Sequence, residues 1–388
     1  MKPRLLHSKK LCSTEVFSDL GLDYDLFIMN LFSKADEKSI PLSGAFELTS
    51  RCPFDCKMCY VHRKENDCEA IKQEKSTEWW INLAEEAKSA GMLMVLLTGG
   101  EPLLRKDFET IYLHAKETGL LVSVNTNGLL IDDEKVKFFS ENPPQRLNIT
   151  LYGASEETYR NLCGNGKAYQ KVTEAIIKLK QAGVNVKLNF TATQYNAHDV
   201  EKIYEFAKNL ELSIQSVTYM FPPARIGGEA KRMSPEEAAK VHFNCRMADM
   251  GPRKMKQHLE ARENRKTDPE PCEGGERIPC RAGQSTFWVT WDGKMTPCGM
   301  MTKPMFEISS FEDAWECIKK SRENIFLPLK CKTCELRNYC DMCAAIPLAE
   351  TGDFGIVPEY VCKKAAEYKK LCNKFTENHY PRNNLDLI

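Results

Sequence analysis

Three cysteines lie close together near the start of the chain, in the stretch TSRCPFDCKMCY at residues 49–60. They are Cys52, Cys56 and Cys59, with the spacing Cys-x3-Cys-x2-Cys. Three thiolates on one short loop can bind three irons of a [4Fe–4S] cluster and leave the fourth iron for an external ligand. Zinc is the competing interpretation, but structural zinc takes four ligands, often as Cys-x2-Cys pairs. Because the next cysteine, Cys68, comes nine residues later, the trio fits a cluster better than zinc.

The composition limits the classes of function. The chain has 388 residues and 17 cysteines, and its 54 basic and 54 acidic side chains cancel. A balanced charge gives no indication of a nucleic-acid or membrane partner. The N-terminus has no apolar signal region, and no run of 18 apolar residues predicts a transmembrane helix. We therefore expect a cytoplasmic protein, in which clustered cysteines bind metal more often than they form disulfides.

The elements that position the trio follow an alternating pattern from residue 45 onwards. Predicted strands are Ala45–Thr49, Leu93–Thr98, Leu120–Asn125, Arg146–Tyr152, Val184–Thr191 and Ser213–Met220. Predicted helices between them are Trp79–Ala90, Asp107–Thr118, Asp133–Ser140, Gln170–Ala182 and Asp199–Asn209. Alternation of this kind predicts parallel strands with right-handed crossovers. The fold class is thus α/β, a partial, six-stranded parallel TIM-like barrel with a C-terminal cysteine-rich iron–sulfur domain, and functional groups belong at the carboxyl ends of the strands.

A second motif, Thr98-Gly99-Gly100-Glu101-Pro102, follows the second predicted strand. Together with the cysteine spacing before it, this motif resembles the radical S-adenosylmethionine (SAM) superfamily over residues 45–220. The resemblance implies that the open iron binds SAM and that the Gly-Gly-Glu segment contacts SAM through its backbone. Two glycines also permit close approach of a ligand to the backbone.

The resemblance implies further SAM contacts at the same rim. The family usually has an aromatic residue where this chain has Met58, and a polar residue where it has Thr150. Relatives often carry an arginine at the position of Cys163, so either Arg160, three residues earlier, substitutes for it or the contact is absent. The candidate cofactor-binding residues are Met58, Gly99, Gly100, Glu101, Asn125, Thr150, Arg160 and Asn189. For Asn125 and Asn189, a role as a local cap or turn residue is equally open.

A second set of cysteines fills the C-terminal region. Its core, Cys-x2-Cys-x5-Cys-x2-Cys at residues 331–343, resembles the SPASM extension of radical SAM enzymes, which holds two auxiliary [4Fe–4S] clusters. The resemblance implies one cluster on Cys272, Cys280, Cys298 and Cys343, and another on Cys331, Cys334, Cys340 and Cys362. Zinc ribbons are the weaker alternative. The cofactors expected are therefore three [4Fe–4S] clusters and SAM.

The sequence suggests five segments. They are an N-terminal extension at 1–44, the radical SAM barrel at 45–220, a linker with one or two helices at 221–271, the SPASM domain at 272–372, and a tail at 373–388.

The resemblance implies a radical SAM oxidoreductase, and the interpretation we favour is a maturase that forms a cross-link, a thioether or an epimer in a ribosomal peptide (a RiPP). A flavodoxin- or ferredoxin-type protein is the expected reductant. One branch of the family oxidises a Cys or Ser side chain with an aspartate base, but that position holds Gly299 here. The alternatives are an oxidoreductase acting on a small metabolite, such as a sugar or amino-acid derivative, and a non-catalytic cluster scaffold. No catalytic acid or base is assigned.

Overall fold

The structure, a computed structural model, describes residues 24–61, 63–222, 232–263, 271–272 and 275–379. Its helices are α1 Tyr24–Lys38, α2 Cys68–Gln73, α3 Thr77–Ser89, α4 Phe108–Glu117, α5 Asp133–Glu141, α6 Glu156–Cys163, α7 Ala168–Gln181, α8 Val200–Asn209, α9 Pro235–Glu263, α10 Phe311–Ser321, α11 Ala345–Thr351 and α12 Glu359–His379. Its strands are β1 Ser43–Glu47, β2 Arg51–Cys52, β3 Arg63–Lys64, β4 Met94–Thr98, β5 Leu121–Thr126, β6 Arg146–Thr150, β7 Val186–Thr191, β8 Ser213–Val217, β9 Pro271–Cys272, β10 Gly275–Arg277, β11 Thr286–Val289, β12 Lys294–Thr296, β13 Phe306–Glu307 and β14 Phe326–Pro328.

The main sheet has the strand order β13-β12-β11-β1-β4-β5-β6-β7-β8. From β1 to β8 every neighbouring pair is parallel, which confirms the predicted six-stranded parallel barrel. Within the described part of the chain, β8 and β13 are the two edges, so the barrel is open on one side.

Three strands of this sheet come from beyond the predicted barrel. Strand β11 pairs parallel with β1, and β12 and β13 continue antiparallel from it. The sequence analysis did not anticipate this extension. The domain limits stay predictions, but the sheet itself runs from the barrel into the cysteine-rich region.

Alternating burial gives the sheet two different faces. In β6 and β7 the side chains of Leu147, Ile149 and Leu188 are buried in the core with residues of the surrounding helices. Because neighbouring strand residues point to opposite faces, Thr150 and Asn189 lie on the concave face. In these two strands the concave face is therefore polar, whereas the outer face carries the hydrophobic core.

The cysteine-rich region contains helices that were not predicted, whereas the predicted linker contains one bent helix. Helix α9, in the predicted linker, bends at Gly251, whose φ is 70°. It packs against α12 through a core that includes Met255 and Tyr368. Helices α10 and α12 lie in segments for which no helix was predicted. No helix of the described residues is long and apolar enough to cross a membrane.

Candidate functional site

The three-cysteine loop begins where β1 ends, at the carboxyl end of the parallel strands. Cys52 is buried, while Cys56 and Cys59 are partly exposed. The loop rests on the end of α6, since Asp55 N donates to the Cys163 carbonyl oxygen at 3.0 Å. This helix was not predicted, and it fixes the loop that carries the trio.

An ion network holds the start of the same loop. Arg51 Nε lies 2.7 Å from Glu74 Oε1. The guanidinium of Arg105, whose side chain is 6% exposed, donates to the Leu48 carbonyl oxygen at 3.0 Å and lies 2.6 Å from Asp107 Oδ2. Charge-assisted hydrogen bonds of this kind are short and directional. They fix the backbone from which Cys52 projects.

The two glycines of the Gly-Gly-Glu segment pack directly on that backbone. Gly100 N donates to the Thr49 carbonyl oxygen at 2.6 Å, and Glu101 N donates to that of Arg51 at 2.8 Å. A Cβ on Gly99 would lie 2.3 Å from the Thr49 oxygen, and one on Gly100 would lie 2.3 Å from the Arg51 oxygen. Both positions therefore require glycine for contact between two protein segments, independently of any ligand.

The side chain of Glu101 points into the protein. Its carboxylate is buried and accepts hydrogen bonds from Leu103 N, Thr126 Oγ1 and Asn127 N at 3.1, 2.8 and 2.7 Å. Burial raises its pKa to about 7, and these hydrogen bonds oppose the rise. Glu101 thus ties the end of β4 to the end of β5, and its carboxylate is occupied by hydrogen bonds within the protein.

Polar groups surround the cysteine sulfurs themselves. Asn127 Nδ2 donates to Cys52 Sγ at 3.5 Å. A hydrogen bond with the Cys163 thiol, together with burial, raises the pKa of Cys56 well above its usual range, while a hydrogen bond with Tyr152 opposes this rise. Hydrogen bonds to ligand sulfurs tune the reduction potential of iron–sulfur clusters. These residues are suited to that role if the trio holds a cluster.

Four other predicted SAM contacts, Asn125, Thr150, Asn189 and Met58, lie on the strands or beside the trio. Asn125 Oδ1 accepts a hydrogen bond from Asn148 Nδ2 at 2.8 Å, and Thr150 pairs in register with Asn189 on the concave face. Met58 is partly buried against the core beside the trio.

Arg160 is not brought to the cysteine loop. Its side chain is 62% exposed and lies 4.0 Å from Glu156 on the same helix. The thiol that reaches the trio from α6 is that of Cys163.

Comparison with known families identifies this arrangement. Residues 46–207 match the model described as the Radical SAM superfamily. The chain has a radical SAM domain. A curated relative, the AdoMet-dependent heme synthase of Methanosarcina barkeri, is 28% identical over 330 residues, which cover 80% of this chain and 93% of the relative.

Solved structures share the fold of the radical SAM domain and of the region after it. Streptococcus suis SuiB bound to its precursor peptide SuiA has a TM-score of 0.64 at 16% identity, covering 85% of this chain and 78% of SuiB. The structure of anSMEcpe with bound AdoMet has a TM-score of 0.65 at 20% identity, covering 87% and 100%. At these identities the similarity shows the fold alone.

Beyond the radical SAM domain, four cysteines line one cavity of about 210 Å³, here called the four-cysteine cavity. They are Cys331, Cys334, Cys340 and Cys362, the set predicted for the second auxiliary cluster. Burial, and then the charges of Cys362 and Cys334, raise the pKa of Cys331 to about 11. Since about 10–15 Å³ is enough for one water, the cavity has room for a group larger than a single ion.

The set predicted for the first auxiliary cluster is described in part. Burial raises the pKa of Cys343 to about 11, and the charges of Cys298 and Cys280 add to the rise, so these three thiols are near one another. Arg322 Nη2 donates to the Cys280 carbonyl oxygen at 3.0 Å. The side chain of Cys272 lies outside the described residues.

In the described ranges, no three or more His, Cys, Asp or Glu side chains are arranged to hold a metal ion. Ligands of a four-iron cluster bind separate irons, so their sulfurs stand further apart than ligands of one ion.

Gly299, at the position of the expected aspartate base, lies against the indole of Trp288. A Cβ on this glycine would be 2.7 Å from two atoms of the ring. Trp288 Nε1 donates to Glu47 Oε2 at 2.9 Å, and Glu47 is the buried last residue of β1. Strand β11, which pairs with β1, thus places the ring of Trp288 in the space that a side chain at position 299 would need.

The sequence drew attention to Asn127 and Cys163 at this rim, although neither was among the predicted site residues. No local signal marked Tyr152, Glu47 and Trp288, because their contacts depend on strands and helices that pair across long stretches of sequence.

Proposed function

We propose that this protein is a radical SAM enzyme that cleaves SAM reductively and abstracts a hydrogen atom from its substrate. A cluster held by Cys52, Cys56 and Cys59, with SAM bound, would supply the 5′-deoxyadenosyl radical for this step. The observation that carries the proposal is the docking of Gly99 and Gly100 on the backbone before the trio, at the carboxyl edge of the parallel strands. Cytoplasmic location and a flavodoxin- or ferredoxin-type reductant belong to the same proposal.

The predicted ligand sets give a stoichiometry that can be measured. Three clusters on eleven cysteines require about twelve irons and twelve sulfides per chain after anaerobic reconstitution. Iron and sulfide assays on the reconstituted protein test this number. Saturation near four irons would remove both auxiliary clusters from the proposal.

The substrate we favour is a ribosomal peptide, which the enzyme would cross-link or epimerise. Support comes from the open edge of the barrel beside β8, a side from which an extended chain can enter. SuiB, which shares the fold, has been solved with its precursor peptide.

A small molecule is the second candidate substrate, because the curated relative that covers 80% of this chain is a heme synthase. Measuring 5′-deoxyadenosine formation with each compound class separates the two. A precursor peptide encoded beside the gene should increase turnover if the first candidate is right, and a porphyrin should do so if the second is. If no deoxyadenosine forms under any reducing condition, both enzyme proposals fail and the protein is better explained as a non-catalytic cluster scaffold.

Formylglycine formation is not expected. A base must lie within hydrogen-bond reach of the proton that it removes, and the position that carries it in the sulfatase-maturing branch is Gly299 beside Trp288. Incubation with SAM, a reductant and a Cys-containing sulfatase peptide should yield slow deoxyadenosine formation and no aldehyde by mass spectrometry. Steady appearance of the aldehyde would overturn both the role given to Gly299 and the choice of a cross-linking or epimerising reaction.

A further inference from the structure

Two arginines line the wall of the four-cysteine cavity. Its described lining includes Arg262 and Arg337 and contains no carboxylate. Arg262 belongs to the last turn of α9, in the segment that the sequence analysis treated as a linker. This helix therefore contributes a side chain to a site whose cysteines all come from residues 331–362.

The two arginines differ in how far their charge is neutralised. Arg337 donates through both terminal nitrogens to Glu276, which is 2% exposed, and also donates to the Cys331 carbonyl oxygen at 3.1 Å. Arg262 has a weaker acidic partner. Its Nη2 lies 3.9 Å from Asp341 Oδ1, and the Asp341 side chain is 48% exposed, so water screens the pair.

The side chain of Arg262 is itself 17% exposed, and a guanidinium stays protonated at every physiological pH. Four thiolates around an iron–sulfur group make a net anion, and reduction adds one more negative charge. A fixed positive charge in a partly buried site favours the more negative state, since the interaction is less screened than in water. The same charge raises the reduction potential of the group that the cysteines hold.

We propose that the charge of Arg262 raises the reduction potential of the cluster held by Cys331, Cys334, Cys340 and Cys362. The inference rests on the proposed function, which assigns these cysteines to a cluster. If the inference is right, α9 does more than connect the barrel to the cysteine-rich region, because it also places a positive charge at the cavity wall.

The experiment uses the full chain with Cys52, Cys56 and Cys59 changed to Ala, so that only auxiliary clusters remain. Arg262→Met removes the charge while keeping a long apolar side chain, and Arg262→Lys retains the charge. Arg253→Met is the matched control, since it removes a charge from an exposed position on the same helix. Iron content and potentiometric titration followed by electron paramagnetic resonance are measured for each protein.

We expect about eight irons per chain in the background protein and in all three variants. In Arg262→Met one of the two auxiliary signals should shift to a more negative midpoint potential, while Arg262→Lys and Arg253→Met should leave both signals in place. Unchanged potentials in Arg262→Met with iron retained would overturn the role of Arg262 and leave the cluster assignment intact. A background protein that fails to bind about eight irons would overturn the assignment itself, and this role with it.

Discussion

Changing Cys52, Cys56 and Cys59 together to Ala is expected to abolish 5′-deoxyadenosine formation from SAM. In the proposed site this loop alone binds the cluster whose open iron takes SAM. The triple variant therefore lacks the cluster that would reduce SAM. The remaining eight predicted cluster ligands lie in the C-terminal region, and iron should fall by only about four per chain. Deoxyadenosine is measured by liquid chromatography after anaerobic incubation with SAM and dithionite, and iron is measured on the same preparation.

Cys68→Ala is the matched control for this prediction. Cys68 is exposed and begins α2, nine residues beyond the trio. The variant should keep both its iron and its deoxyadenosine formation. Deoxyadenosine formation that persists in the triple variant would refute the assignment of the trio.

The six-stranded barrel could be predicted because its signals are local. Each strand is a short apolar run, and in β6 and β7 the alternation of Leu147, Ile149 and Leu188 with polar residues is visible in the sequence. Strand β11 could not be predicted as part of the same sheet. Its place beside β1 joins Trp288 to Ala45 across more than two hundred residues, and no local pattern specifies such a pairing.

In the candidate site, too, local features could be predicted and long-range contacts could not. The cysteine trio stood out because its spacing lies within one loop. Cys331, Cys334 and Cys340 also lie close together in sequence, whereas Cys362 comes from α12 and was included only through the resemblance. Arg262 was invisible, because its position depends on the bend of α9 at Gly251 and on packing against α12. The role of Glu101 could be predicted only in part. Its motif identifies the segment, but the sequence does not show that the side chain points into the protein.

The Gly-Gly-Glu segment allows a second test with a large expected effect. Gly100→Ala places a Cβ 2.3 Å from the Arg51 carbonyl oxygen and 2.6 Å from that of Ser50, and neither backbone atom can rotate away. The segments 49–51 and 99–101 must then separate, which breaks the hydrogen bonds of Gly100 N and Glu101 N. Overpacking of this kind costs about 1–3 kcal/mol and sometimes more. We expect a lower midpoint of thermal unfolding in the metal-free protein and loss of deoxyadenosine formation in the reconstituted one.

Gly183→Ala separates this effect from the general cost of replacing a glycine. Gly183 follows α7 with a φ of 77°, and a Cβ there would meet nothing within 4 Å. Left-handed backbone alone costs roughly 1–2 kcal/mol for alanine, so Gly183→Ala should lower the midpoint of thermal unfolding and keep full SAM cleavage. If Gly100 served only to let SAM approach, Gly100→Ala would fold with unchanged stability and bind about twelve irons while losing SAM binding. That outcome would contradict the role of the two glycines as a contact between protein segments, which the distances to the backbone of residues 49–51 require.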